Sequence, residues 1–438
     1  MSTTIDVPKI KDPWLHKGMK PVFILTVTCF AAWGLAGNMT DPLVKVFSSV
    51  FSMSNFQSSL VQFAYYGAYF ALALPAAFIN MRLGYKGGVV LGLLLAATGG
   101  FLFFPAAQVM TFGFFIFALF TLAAGLSILE TSANPFVMAM GPQANATRRL
   151  NFAQAFNPIG SNLGVLIAAM LILPHVHPAT AEMRAQMPHS ELVAMQSEEL
   201  FAVMGPYVAL ASLYLIIAIG IMVVKVPKKN KDTVPTAEVS SSRLTRLLRN
   251  KRYSFGVVAQ FFNIAAQTCI WTYTLHYVTE AIGVPDKEAG IYLQISLLVF
   301  LVFRFLMVAL MGRFDPRKLM LVMTTLGVAL AVIAISIGST IGVAAIIGMS
   351  ACLSLLFPTI YGVALEGLGE DTKYGAAGLV MAIVGGALMP LVQGKLIDVT
   401  SAQFSYIIPG ACFAICGLYA IYTLKTASVV QTQGIIED

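Results

Sequence analysis

Apolar residues run in blocks of about twenty or more along the whole chain, long enough for a helix to cross a hydrocarbon core of about 30 Å. Twelve blocks can be drawn, at 21–47, 54–81, 87–106, 109–139, 148–173, 202–225, 253–281, 288–311, 318–338, 341–366, 373–398 and 403–424. Several are longer than a bilayer needs, which permits tilt or kinks. Pro42, Pro75, Pro135, Pro158, Pro358 and Pro390 are the expected kink sites. The pattern predicts an all-α integral membrane protein with 12 transmembrane helices.

Polar positions inside these blocks are few and fall on stripes. Ser127, Glu130, Thr131 and Asn134 follow i, i+3, i+4, i+7 spacing and share one helix face. Span one offers Gly34, Asn38 and Asp41. Span five offers Asn151, Gln154, Asn157 and Ser161, with Pro158 freeing a backbone carbonyl. Span seven offers Gln260, Asn263, Gln267 and Trp271; span ten offers Ser354 and Tyr361 around Pro358. A charge at bilayer depth costs about 2.5–3.5 kcal/mol on insertion scales, so an acid held there is read as functional. Two of them, Asp41 and Glu130, point to a proton-coupled membrane protein. Amides beside carboxylates and aromatic rings suit a sugar. An amide donates and accepts, a carboxylate accepts from paired hydroxyls, and a ring covers the C–H face. Each amide taken alone reads equally well as interhelical glue, worth about 0.6 kcal/mol. Arg304 is the basic residue deep in a span, and three readings stay open for it: balancing an acid, organising a gate, or bonding to backbone carbonyls.

Composition sharpens the class. The chain has 438 residues, 58% hydrophobic and 11% charged, with a mean hydropathy of +0.80. A soluble domain would be about 25% charged. The net charge of +7 would suggest nucleic acid in a soluble protein, but here the basic residues flank membrane segments and set orientation, so no nucleic acid is expected. Lys9, Lys11, Lys17, Lys20, Arg82, Lys86, Arg148, Arg149, the cluster from Lys225 to Arg252, Arg313, Arg317, Lys318, Lys373 and Lys425 lie on one side, which places both termini in the cytoplasm. The polar start of the chain has no apolar core of a cleavable signal peptide. Cys29, Cys269, Cys352, Cys412 and Cys416 fall inside apolar blocks and are expected to be inert core residues.

The polar stretch 226–252 divides six spans from six, and its second half has the makings of a short basic helix at the membrane surface. The expected organisation is a cytoplasmic segment 1–20, a six-helix bundle 21–225, the cytoplasmic linker 226–252, a second six-helix bundle 253–424 and a cytoplasmic tail 425–438. The halves echo each other: RLGYKG at 82–87 has a counterpart in RFDPRK at 313–318. Parallel six-span repeats that meet at a midplane site are an architecture of secondary transporters. The outer segment 174–201 carries His175, His177, Glu182 and His189, whose spacing makes a poor metal site, so no metal is expected. No nucleophile–base pair or phosphate loop is present, which argues against an enzyme.

Five stretches carry a resemblance that runs through both halves: WGLAGNMTD (33–41), LETSANPF (129–136) with GP at 141–142, RLNFAQAFNPIG (149–160), AQFFNIAAQTCIW (259–271) and FPTIYGVALEGLGEDTKYG (357–375). On these the chain resembles the fucose–proton symporter (L-fucose permease-like) family of the major facilitator superfamily. The resemblance implies a proton-coupled importer of L-fucose or a related hexose such as galactose or glucose, in a bacterial inner membrane, with no cofactor besides protons. By resemblance proton coupling falls on Asp41 and Glu130, and sugar binding on Glu130, Asn38, Gln154 and Asn157; the polar stripes add Asn134, Gln260, Asn263, Gln267, Trp271 and Tyr361 as sugar-site candidates. A monomer is expected, because one twelve-span unit contains its own pathway. Gly37, Thr40 and Leu356 depart from the fucose pattern and leave the identity of the sugar open. The alternative is proton-antiporting efflux of amphipathic compounds, which belongs to the same superfamily.

Overall fold

A computed structural model describes residues 13–51, 55–177, 183–184, 186–226 and 241–436, and among these the chain is helical with no strand. The first half comprises Lys20–Val50, Asn55–Val109, Phe112–Ala139, a broken fifth span (Ala146–Gln154, Asn157–Ile167 and the π turn Ala168–Ile172) and His189–Val223. The second comprises Lys251–Ile282, Asp286–Leu310, Pro316–Ser336 and then three interrupted spans. These are Thr340–Leu353 with Leu356–Leu365, Thr372–Met381 with Gly385–Val399, and Ala402–Ser405 with Ile407–Ile436.

Ten described stretches are long and apolar enough to cross a bilayer. One of them, Phe63–Val109, is two crossings, because the chain bends at Gly84, where φ is +70°. The turn expected at 82–87 is present: Gly84, with φ +70° and ψ 172°, interrupts the helical backbone and separates the two crossings, and a glycine tolerates that positive φ. Lys251–Ile282 supplies the twelfth crossing; its 32 residues reach about 48 Å, while its amides hold its hydropathy down. Span six also starts earlier than its apolar block, at His189.

Spans one and five pack almost backbone to backbone. A Cβ on Gly160 would lie 1.7 Å from the carbonyl oxygen of Ala31, so only glycine fits there. Asn157 and Ser161 are thereby brought against span one, donating to the carbonyls of Phe30 and Gly34 at 3.4 and 3.3 Å.

Basic residues at one end of the bundle cap helices. Arg149, fully buried, donates to the carbonyls of Val137 and Met138 in the last turn of Glu130's helix, of Gly141 and Pro142 just past its end, and of Trp14. Lys86 donates to Met222 and Val224, the last carbonyls of span six. Both satisfy carbonyls that a helix C-terminus leaves without partners. The linker helix Ser241–Arg249 is docked by its cations: Arg246 grips Asp371 through two hydrogen bonds of 2.5 and 2.6 Å, and Arg243 faces Glu370 at 3.6 Å. The Asp371 hydrogen bond raises the pKa of Arg246 above its ordinary value. Leu247 turns inward, while Leu244 and Leu248 stay exposed.

Two buried cores result. One fills the first half and extends into the second through Phe357, Tyr361, Ala364, Leu365 and Ala376–Val380; the other is built by residues of the second half alone. The shared part lies at the end that carries the basic loops, so the halves are packed together there.

Candidate functional site

Between the halves lies a cavity of about 200 Å³. The first half contributes Trp33, Gly34, Gly37 and Asn38 from span one, Tyr65 and Tyr66 from span two, Glu130 from span four, and Gln154, Asn157, Pro158, Ser161 and Asn162 from span five. The second contributes Ile264, Gln267, Thr268 and Trp271, then Leu297, Phe300 and Arg304, and single residues Phe357 and Ile383. Glu130 is 1% exposed; the Asn134 amide one turn on stands beside its carboxyl, but neither carboxyl oxygen accepts a hydrogen bond of ordinary geometry. It stands nine residues before Ala139, about 14 Å from that helix end.

The walls are held from behind. Gln154, which lines the cavity, donates from Nε2 to Oδ1 of Asn134 at 2.8 Å, which spends one side of each amide. Asn38 donates to the Ser161 carbonyl at 3.4 Å. The Trp33 indole donates to the Tyr69 hydroxyl at 2.6 Å, which fixes the ring beside Tyr65. In the second half Trp271 donates to Ser350 at 3.2 Å, Ser350 pairs with Ser296 at 3.0 Å, and the Trp271 ring stands edge-on to Phe300. Aromatic rings thus line both sides, and polar groups sit between them.

Six of the ten sugar-site candidates line the cavity: Asn38, Glu130, Gln154, Asn157, Gln267 and Trp271. Four lie behind it. Asn134 is one turn past Glu130, with its Nδ2 unpaired; Gln260 and Asn263 are buried on span seven with both polar atoms unpaired; Tyr361 is buried with its hydroxyl unpaired. The helical stripe is wider than the face a cavity touches, so positions at its edge turn into the helix packing. Asp41 lies on the first helix, but its side chain is outside the described residues. Among the described residues no group of His, Cys, Asp and Glu has metal-binding proximity. Arg184 and Glu199 form a buried bidentate pair in the outer segment instead, at 2.6 and 3.0 Å.

Sequence reasoning passed over Trp33, Tyr65, Tyr66, Asn162, Phe300 and Phe357. The signal for Trp33 was available, since 33, 34, 37 and 38 fall on one helix face. Tyr65, Tyr66 and the phenylalanines carry none, because an aromatic ring in an apolar span reads as core.

Comparison with known proteins fits this geometry. The sequence profile described as Major Facilitator Superfamily matches residues 22–273 and again 256–434. An L-fucose-proton symporter of Haemophilus influenzae is 38% identical over 423 residues, covering 94% of this chain and 98% of that protein. The chain belongs to the fucose–proton symporter family of the Major Facilitator Superfamily. A glucose/galactose transporter of Brucella abortus is 30% identical over 399 residues, 91% of this chain and 92% of its own length. Among solved structures, the Escherichia coli fucose:proton symporter superposes with a TM-score of 0.86 at 34% identity, covering 93% of this chain and 99% of that one. The chain is thus a multi-pass membrane transporter rather than an enzyme, with 12 spans in two six-helix bundles. The two profile matches to the superfamily overlap at 256–273, the part of span seven that carries Gln260, Asn263, Gln267 and Trp271.

Proposed function

We propose that this chain is a proton-coupled symporter that imports a monosaccharide, L-fucose or a related hexose such as galactose or glucose, by alternating access. The observation that carries the reading is Glu130: a carboxyl that accepts no hydrogen bond of ordinary geometry, facing a cavity of amides and aromatic rings drawn from both halves. A buried group of that kind meets its hydrogen-bonding needs with a proton, a substrate hydroxyl, or both. The near-full-length likeness to an L-fucose-proton symporter and to a glucose/galactose transporter supports both the coupling ion and the substrate class.

In this reading Asn38, Gln154, Asn157 and Gln267 hydrogen-bond sugar hydroxyls, while Trp33 and Trp271 cover C–H faces. Asn134, Gln260, Asn263 and Tyr361 act behind that layer, holding first-layer groups or contacting sugar only in another conformation. Asp41 takes a proton from outside, neutral Asp41 allows closure over bound sugar, and opening toward the cytoplasm rehydrates the site and releases both. Six-helix units at 21–225 and 253–424 move about the site, the basic end and both termini face the cytoplasm of a bacterial inner membrane, and a monomer suffices. Efflux of amphipathic compounds would call for a broader and greasier cavity than these amides make.

The test is uptake of labelled hexoses into proteoliposomes with and without an inward proton gradient. Accumulation of one hexose that collapses with an uncoupler is expected. Uptake indifferent to the gradient, or driven only outward, would sink the reading.

A further inference from the structure

Two helix breaks flank the cavity, and both have one cause. Pro158 has no N–H, so the carbonyl of Gln154, four residues earlier, has no helical partner. Pro358 does the same to the carbonyl of Ser354. The helices break at these places, between Gln154 and Asn157 and between Leu353 and Leu356. Both freed carbonyls are buried in the middle of the protein, where a missing partner is unfavourable. A single side chain serves both. Arg304 of span eight donates through Nη1 to Gln154 O at 3.0 Å and through Nε to Ser354 O at 2.6 Å. Its guanidinium also lies 4.7 Å from the centre of the Phe300 ring and lines the cavity.

The two carbonyls belong to different halves: Gln154 to span five of the first, Ser354 to span ten of the second. Below them, toward the basic end, the same seam is closed by Asn151 donating to Thr359 at 3.2 Å and by Arg148 donating to the Val308 carbonyl at 3.1 Å. Among the contacts on the basic side of the cavity, Arg304 is therefore the one nearest the cavity in a seam that must part when the basic end opens, and it touches the cavity itself. On the other side Gln294 donates to Asn162 at 2.9 Å, also across the halves. We infer that Arg304 is a clasp: it fastens the two proline-freed carbonyls across the halves, keeps the cavity closed toward the basic end, and must release Gln154 O for the transporter to open there. Gln154 has its side chain on the cavity wall and its carbonyl in the clasp, so a substrate that shifts this residue acts on the clasp directly. The role is that of a positioning residue, and it deepens the alternating-access reading above.

The test reads conformation without any sugar, so its failure is distinct from failure of the proposed substrate or coupling. Thr359 is buried in the seam, and the five native cysteines are buried as well. With Thr359→Cys as reporter, alkylation by a membrane-permeant maleimide is followed in the full-length protein in proteoliposomes, against the parent chain without the reporter. Arg304→Met is expected to raise the alkylation rate about ten-fold, the factor that loss of one charge-assisted hydrogen bond across the seam brings. Pro158→Ala with Pro358→Ala keeps every charge but gives each carbonyl back a helical N–H. This pair is expected to raise the rate in the same way, and it covers the case in which the arginine variant does not fold. Increases in the folded variants support the clasp. An unchanged rate in either one overturns it: in Arg304→Met because the seam does not need the guanidinium, in the proline pair because the freed carbonyls are not what it holds.

Discussion

The fourth helix of each half contains a proline toward the end that carries the basic loops, and the two behave differently. In span four, Pro135 leaves the helix Phe112–Ala139 unbroken, and the carbonyl it frees, on Thr131, accepts from Asn80 at 3.4 Å. Asn80 belongs to span two of the same half and is itself held by Ser132 at 2.8 Å. In span ten, Pro358 breaks the helix, and its carbonyl is taken by Arg304, which also reaches into the other half. A neutral donor within one bundle makes a fixed joint. A charged donor shared between bundles makes one that has to change when the bundles move. The unbroken helix is the one that carries Glu130, so the group proposed to exchange protons rides on the rigid member of the pair.

The strongest way to break that contrast is to neutralise its charge. Glu130→Gln is expected to abolish proton-driven accumulation and to weaken sugar binding about ten- to a hundred-fold, the scale of hydrogen bonds to a charged group. Uphill uptake by this variant would remove span four from the coupling step. Asp41→Asn sharpens the division of labour between the two acids: it is expected to bind and exchange sugar across the membrane while failing to accumulate it. Gradient-driven accumulation by that protein would contradict the scheme.

Gln154→Ala and Asn157→Ala come next, each expected to weaken binding by about 1–3 kcal/mol while coupling survives at saturating sugar. Calorimetry showing wild-type affinity in both would return these amides to helix packing. Pro135→Ala is expected to change stability by less than about 1 kcal/mol and to leave transport intact, since the helix is already continuous and its carbonyl already served. If it disturbed access to the seam as much as Pro358→Ala, the two joints would be equivalent and the comparison would fail. Tyr361→Phe should have the smallest effect. Its hydroxyl is buried without a partner, so removing it is expected to be neutral or slightly stabilising in thermal unfolding, and a clear loss of sugar affinity would move Tyr361 into the binding layer.

Much of this was legible in the chain itself. Blocks of apolar residues dictate helices because a bilayer leaves the backbone no other partner, and the i, i+3, i+4, i+7 stripe around Glu130 placed its carboxyl on an inward face before any packing was known. The same periodicity put Asn38, Gln154, Asn157, Gln267 and Trp271 on polar helix faces, and in the structure these five line one cavity. Even the proline-freed carbonyls at Gln154 and Ser354 follow from sequence, because proline lacks a donor wherever it stands.

Only the tertiary structure decided what each of these meets. A stripe fixes a helix face to within about a hundred degrees, but the contact a side chain makes depends on how closely the neighbouring helix approaches. Asn134, Gln260, Asn263 and Tyr361 therefore turned out to lie behind the cavity rather than on it. Tyr65 and Tyr66 gained a place on the wall because spans one and two bring them there, though nothing in their own segment marks them as more than core. Arg304 shows the limit most clearly. Its sequence neighbours say only that a cation sits deep in a span. That its two partners are carbonyls from opposite halves, each freed by a proline far away in the chain, is a fact of three-dimensional packing, since hydrogen bonds between segments about 150 and 50 residues apart depend on loop closures and helix contacts that no local pattern encodes.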